Sequence, residues 1–103
     1  MQQLREIIST HPDVQGSINE ALIQSIEDCH ACAEACTACA DACLAEDDVR
    51  DLVQCIRLNL DCADVCVATA ALSTRRAGSN EDVIRGMLEV CATACDLCAE
   101  ECE

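Results

Sequence analysis

No phenylalanine, tyrosine or tryptophan occurs in the 103 residues. The side chains that usually dominate core burial are therefore missing, and Leu, Ile, Val, Ala and Cys must fill any interior. Basic residues are also scarce. Six Lys and Arg stand against twenty Asp and Glu, a formal charge of −14, which argues against nucleic acid as a partner and for a solvated acidic surface. No uninterrupted apolar run is long enough to cross a bilayer, and no apolar export segment follows Met1. The chain is accordingly expected to stay in the cytosol, with no membrane partner.

What the chain does hold is cysteine, twelve in a length that makes one domain at most. That density marks a disulfide or metal scaffold. Cytosolic thiols stay reduced, which shifts the expectation from disulfides toward metal ligation.

Residues 1–16 read as a short N-terminal helical arm, with Leu4, Ile7 and Ile8 at helical spacing before Pro12. Residues 17–103 read as a Cys-lined helical bundle. Ser17-Ile18-Asn19-Glu20 has the form of a capping box, and a first bundle helix is expected over about 18–45. Its inward stripe starts with Ile18, Leu22 and Ile26 and then turns to Cys29, Cys32, Cys36, Cys39 and Cys43. Steps of 3, 4, 3 and 4 keep those five thiols within an arc of about 80° on a helix. Glu46-Asp47-Asp48 is an acidic turn, with Asp47 or Asp48 as N-cap of a second helix over about 48–73. On that helix Cys55, Cys62 and Cys66 share one face, and Asn59 stands where a further Cys would fall. In the polar connection 74–80, Gly78 suits a helix C′ position and Ser79 or Asn80 the next N-cap. The third helix, over about 81–102, leads through Ile84, Met87 and Leu88 to Cys91, Cys95, Cys98 and Cys102. An even number of antiparallel helices closes such a core. The expected fold is thus all-α, an antiparallel four-helix bundle with three helices in this sequence and the fourth missing or supplied by another chain.

Register tests the arrangement, because residues at one height in an antiparallel pair have numbers with a constant sum. Cys66 with Cys91, Cys62 with Cys95, Asn59 with Cys98 and Cys55 with Cys102 all give 157. Cys29 with Cys66, Cys32 with Cys62, Cys36 with Asn59 and Cys39 with Cys55 give 94 or 95. These sums centre the loops near residues 47 and 78, where turn chemistry also puts them. The thiols are predicted to stack in four layers above an apolar plug of Leu22, Ile26, Leu72, Ile84, Met87 and Leu88. Cys43 is left alone at the far end.

A column of thiolates is a soft ligand set, suited to Cu(I), Zn(II) or iron-sulfur clusters. The C-x-x-C pairs lie in Ala-rich helix without the turns that zinc sites use, and a C-x-x-C-x-x-C iron-sulfur run is absent. Cu(I) accepts two thiolates one helical turn apart. Each Cu⁺ that replaces a thiol proton leaves the core's charge unchanged, whereas Zn²⁺ on four thiolates leaves two negative charges in a low-dielectric interior. With no paired acid and base and no oriented nucleophile, capacity for Cu(I) is the expected role, and an enzyme is not. The alternatives are a zinc or iron-sulfur protein and a disulfide-stapled structural bundle.

The motif Cys55-Ile-Arg-Leu-Asn-Leu-Asp-Cys62-Ala-Asp-Val-Cys66 carries a resemblance, supported by the C-x-x-x-C pairs Cys32/Cys36, Cys39/Cys43, Cys62/Cys66, Cys91/Cys95 and Cys98/Cys102. From Ser17 to Glu103 the chain resembles the bacterial copper storage proteins, four-helix bundles rich in cysteine, in their cytosolic form. The resemblance implies a homotetramer of bundles holding many Cu(I) ions on core thiolates. The family's fourth helix, with further Cys and His, has no counterpart in the sequence. All twelve cysteines are the expected metal ligands. His30 falls about 100° off the thiol stripe and reads as a flank residue. His11 reads as structural, Met87 as core filler and Asn59 as a hydrogen-bonding group within the bundle. Cys43, at the less plugged end beside the acidic turn, marks the expected entrance for metal.

Overall fold

Neither Gly nor Pro occurs between Ser17 and Ala77, so nothing interrupts helix there except the acidic turn. The computed structural model describes residues 2–102. Helix α1 spans Gln2–Ser9, α2 Glu20–Leu44, α3 Val53–Thr74 and α4 Glu81–Cys102, with a 3-10 turn over Val49–Leu52. No strand is found among the described residues. The expected all-α helical bundle, with its short N-terminal helical arm, is the observed class. Helix α3 packs between α2 and α4, and the molecule is a rod of 53 × 26 × 17 Å.

Apolar residues close one end of the rod. Ile23 and Ile26 are buried, Ile8 of the arm packs with them, and Leu4, Val14, Ile18 and Leu22 lie against this cluster. The plug thus differs from the one read from the register. Leu88 is exposed and Leu72, Ile84 and Met87 are half-buried, whereas Ile8 of α1 is buried with Ile23 and Ile26 and Leu4 packs against them. The Arg5 guanidinium meets the Glu20 carboxylate at 2.6 Å, a surface pair that sets the arm's position more than it stabilises it.

That pair also explains a correction at the start of α2. Glu20 is engaged by Arg5 and does not complete a capping box with Ser17. Asn19 is the N-cap, its side-chain oxygen accepting from the Leu22 amide at 3.1 Å, and its carbonyl accepts the first helical bond from Ile23. At the other loop, Asp48 precedes the 3-10 turn without a side-chain cap bond. The tighter i→i+3 bonding there delays α3 to Val53. Gly78 has φ +65, the left-handed region glycine tolerates, but it lies in mid-loop and not at C′, because Arg75 leaves α3 extended. Asn80 fastens both ends of this connection. Its side chain donates to the Leu72 carbonyl at 3.0 Å, and its own carbonyl accepts from the Ile84 amide at 3.0 Å.

The plug is the part of the core built from large aliphatic groups, so it should dominate the stability of the metal-free chain. Ile26 is 0% exposed, and Ile26→Ala is expected to cost about 3 kcal/mol. Urea unfolding followed by circular dichroism measures this, and a cost below ~1 kcal/mol would mean that the plug does not anchor the bundle.

Candidate metal centre

Above the plug the stripes on α2, α3 and α4 turn to cysteine and face one another. Cys62 and Cys66 are fully enclosed, Cys29, Cys36, Cys55, Cys91 and Cys98 are buried, and Cys32, Cys39, Cys43, Cys95 and Cys102 are half-buried. The register holds in space. Sulfur-sulfur distances are 3.8 Å for Cys32 to Cys62, 3.8 Å for Cys32 to Cys95, 3.4 Å for Cys62 to Cys95 and 3.6 Å for Cys66 to Cys91. In the layer without a third thiol, the Cys98 sulfur donates to Asn59 Oδ1 at 3.0 Å.

The layers are not separate, however. Cys66 also approaches Cys95 at 3.8 Å and Cys32 approaches Cys36 at 3.9 Å. Three sets of sulfurs each fall within 4.8 Å of one another: Cys32, Cys62, Cys66 and Cys95; Cys36, Cys62 and Cys98; and Cys39, Cys43 and Cys55. These contacts include pairs about one helical turn beyond the constant-sum partners. Cα–Cβ bonds tilt toward a helix's N-terminus, so on antiparallel neighbours the side chains lean toward each other along the axis, and each sulfur reaches two levels.

The same tilt corrects the position of Cys43. It is not isolated at the end of the column: it leans back from α2 while Cys55 leans up from α3, and with Cys39 they form a three-sulfur group. Cys55 and Cys102 are joined by a disulfide with Cα atoms 5.4 Å apart. In that state neither offers a thiolate, which departs from the expectation of twelve free ligands. The reason is the register itself, which sets the two at one height and within bridging distance.

Burial dominates the acidity of these thiols. It pushes Cys29 up to about 11, with the neighbouring Cys91 adding to it, and Cys36 up to about 12. Cys62, Cys66 and Cys95 are raised for the same first reason. At Cys32 burial also acts upward, but hydrogen bonds from Cys66, Cys62, Cys95 and Cys36 outweigh it and hold this thiol below its ordinary 9.0. A thiolate at Cys32 is the one that the four-sulfur group can stabilise.

Raised thiols bind their protons more tightly folded than unfolded. Their stabilising contribution is complete below the unfolded value and disappears as pH rises through the folded ones. The urea midpoint of the metal-free, reduced chain is therefore expected to stay level from about pH 7 to 8.5 and to fall between about pH 9.5 and 11.5. A midpoint unchanged across that range would contradict the burial of neutral thiols.

Outside the column, His30 lines a shallow groove between α2 and α3 with Glu34, Thr37 and Asp41. His11 Nδ1 accepts from the Asp13 amide at 3.0 Å and shapes the turn after α1. Met87 is half-buried beside Ile84 on α4. None of the three joins a sulfur group.

The sequence pattern of the copper storage protein family matches residues 18–103. Among solved structures, the copper storage protein Ccsp of Streptomyces lividans, loaded with 10 copper equivalents, is 50% identical and superposes with a TM-score of 0.89. The match covers 96% of this chain and 76% of that one. A cytosolic copper storage protein from Streptomyces lividans with five coppers is 55% identical over 81% of this chain and 69% of its own, with a TM-score of 0.79. A cysteine-rich protein of Bacillus subtilis strain 168, YhjQ, is 35% identical over 77 residues, which is 75% of this chain and 68% of that protein.

Proposed function

The chain belongs to the copper storage protein family, and from that premise we propose that it is a cytosolic store taking several Cu(I) ions onto the thiolates of its sulfur column. The observation that carries this reading is the continuity of sulfur. The four-sulfur and three-sulfur groups on α2, α3 and α4 share Cys62, and a third group lies at the loop end.

Soft, d¹⁰ Cu(I) is satisfied by two or three thiolates and needs no fixed polyhedron. Where thiolates bridge neighbouring ions, one proton leaves per Cu(I) and the interior stays neutral; a lone Cu(I) on two thiolates releases two protons and leaves one negative charge, and in both cases uptake weakens as pH falls. The twelve cysteines are assigned as ligands, including Cys55 and Cys102, which the reducing cytosol holds as thiols. No catalytic role is assigned, because the sulfurs face one another and leave no coordination position for a substrate.

One feature favours zinc at a single place. The distances of 3.4 to 3.8 Å from Cys62 or Cys95 to their neighbours in the four-sulfur group are close to the edge of a Zn(II) tetrathiolate, about 3.8 Å for Zn–S bonds near 2.3 Å. Burial of the resulting double negative charge opposes it.

Anaerobic titration of the reduced chain with Cu(I) and with Zn(II), against competing chelators and with free thiols counted first, separates the readings. Several tight Cu(I) per chain support storage. Saturation by a small fixed number of Zn(II) with weak Cu(I) binding, or few free thiols after reduction is withheld, would overturn it.

A homotetramer is the assembly we assign. Supporting it are two exposed apolar stripes at heptad spacing, Val53, Leu60 and Val67 on α3 and Val83, Val90 and Leu97 on α4, which are suited to helix-helix association between copies. Light scattering coupled to size exclusion reads the mass directly, and a monomer at micromolar concentration would remove the assignment.

A further inference from the structure

One pair of sulfurs in the column is joined while the other cysteines are free thiols. Cys55, in the first turn of α3, and Cys102 on α4 have Cα atoms 5.4 Å apart, inside the range that disulfides span. The Asn59 amide lies against both. Its Oδ1 accepts from the Cys98 thiol at 3.0 Å, and its Nδ2 donates toward Cys55 at 3.4 Å and Cys102 at 3.5 Å. Cys55 has a second set of neighbours, because it is also a member of the outer, loop-end group with Cys39 and Cys43. Its sulfur serves one partner or the other. Once bound to Cys102 it offers no thiolate, and the outer group keeps two ligands of its three. The two inner groups contain neither Cys55 nor Cys102.

Resting on the storage reading above, we infer that Cys55 and Cys102 form a reversible thiol-disulfide switch that weakens the outer group's hold on Cu(I) when a low-molecular-weight disulfide becomes abundant. Cys102 is half-buried and Cys55 is 6% exposed, so the Cys102 sulfur is the one that meets the incoming disulfide. It forms an S–S bond with one sulfur of that molecule as the other leaves as a thiol with the proton of Cys102. Cys55 then displaces the second sulfur from Cys102 and closes the internal bond. Two electrons and two protons pass from the protein pair to the small disulfide, which departs as two thiols. Where Cu(I) sits on Cys55, the second sulfur leaves with that ion in place of a proton, and the metal stays Cu(I) throughout. The oxidant thus turns into a soft ligand for the ion it releases. Because ligation and closure use the same sulfur, Cu(I) on the outer group must in turn oppose closure.

The test starts from the full chain, reduced and metal-free, equilibrated anaerobically with mixtures of glutathione and glutathione disulfide, alkylated and mapped by peptide mass spectrometry. The bond between Cys55 and Cys102 is expected to close ahead of any other, and loading with Cu(I) beforehand should slow its closure about tenfold or more. The closed chain, freed of glutathione, is then titrated with Cu(I) against bicinchoninate. It should bind about one tight Cu(I) fewer than the reduced chain, and reduction with a phosphine should restore the difference. In Cys102→Ser the internal bond cannot form, so the titration of this variant should be the same before and after glutathione disulfide, each state measured against the other. The map and titration of the native chain stand whether or not the variant folds.

First closure at another pair, such as Cys62 with Cys95, would overturn the inference. So would an unchanged Cu(I) titration after closure, or the same oxidant-dependent loss in Cys102→Ser. Failure of the storage reading shows at an earlier point, since the reduced native chain would then not bind several tight Cu(I) at all.

Discussion

Loading the reduced chain with Cu(I) should raise its unfolding temperature by about 20 °C or more over the metal-free form. The metal-free core is thin. Among the described residues the buried large aliphatics are Ile8, Ile23 and Ile26, and the other buried apolar positions are cysteine and alanine. Such side chains bury little area each and leave the upper part of the rod held mainly by weak sulfur contacts. A ligand that binds the folded chain at a hundredfold its dissociation constant adds about 2.7 kcal/mol per site, and each kcal/mol moves the midpoint of a small domain by about 4–8 °C. Several sites filled together therefore exceed any single core contact. Thiols of the unfolded chain also take up Cu(I), so the observed gain is the difference in favour of sulfurs already gathered on three helices. Calorimetry at increasing Cu(I) equivalents checks this. A midpoint that does not move with loading would show that the ions sit outside the folded column.

Replacing Cys62 by Ser is expected to do more damage to capacity than any change at the loop end. Its sulfur belongs to both inner groups and contacts Cys32 at 3.8 Å and Cys95 at 3.4 Å. A thiolate can bridge two Cu(I), so its loss should remove roughly two tightly held ions, and the harder hydroxyl will not replace it. Cys43→Ser, the same chemistry in the outer group, should remove at most about one. The buried hydroxyl at position 62 carries its own cost of about 1–3 kcal/mol if left unpaired, so the metal-free melting temperature is compared alongside. Competition titrations with a Cu(I) chelator read both losses. Equal losses for the two variants would dissolve the distinction between a shared inner sulfur and a peripheral one.

Much of this site was legible without coordinates because helical periodicity and antiparallel register are both arithmetic on residue numbers. The pairing of Cys62 with Cys95, Cys66 with Cys91 and Asn59 with Cys98 followed from constant sums, and each appears as a direct contact. Third-helix limits near 81 and 102 matched α4, since a capping residue after a glycine-containing loop and an unbroken stripe leave little freedom. The second helix was read too early, because residue spacing does not distinguish the first turn of an α-helix from a 3-10 turn. The capping box at Ser17 failed for a non-local reason, as Glu20 is held by an arginine fifteen residues upstream.

By itself, then, the sequence determined the class, the three sulfur-bearing faces, their register and the soft-metal chemistry, all of which depend on spacing and side-chain type. The tertiary structure decided how those faces meet. It placed the arm over the plug, gave Cys43 its partners in Cys39 and Cys55, joined the inner layers through Cys62, and hydrogen-bonded the Asn59 amide to Cys98 and Cys55. The physical reason is that register locates Cα atoms, whereas metals meet sulfurs. Those sulfurs lean in opposite directions on antiparallel helices, by an amount that brings sulfurs of neighbouring layers into contact.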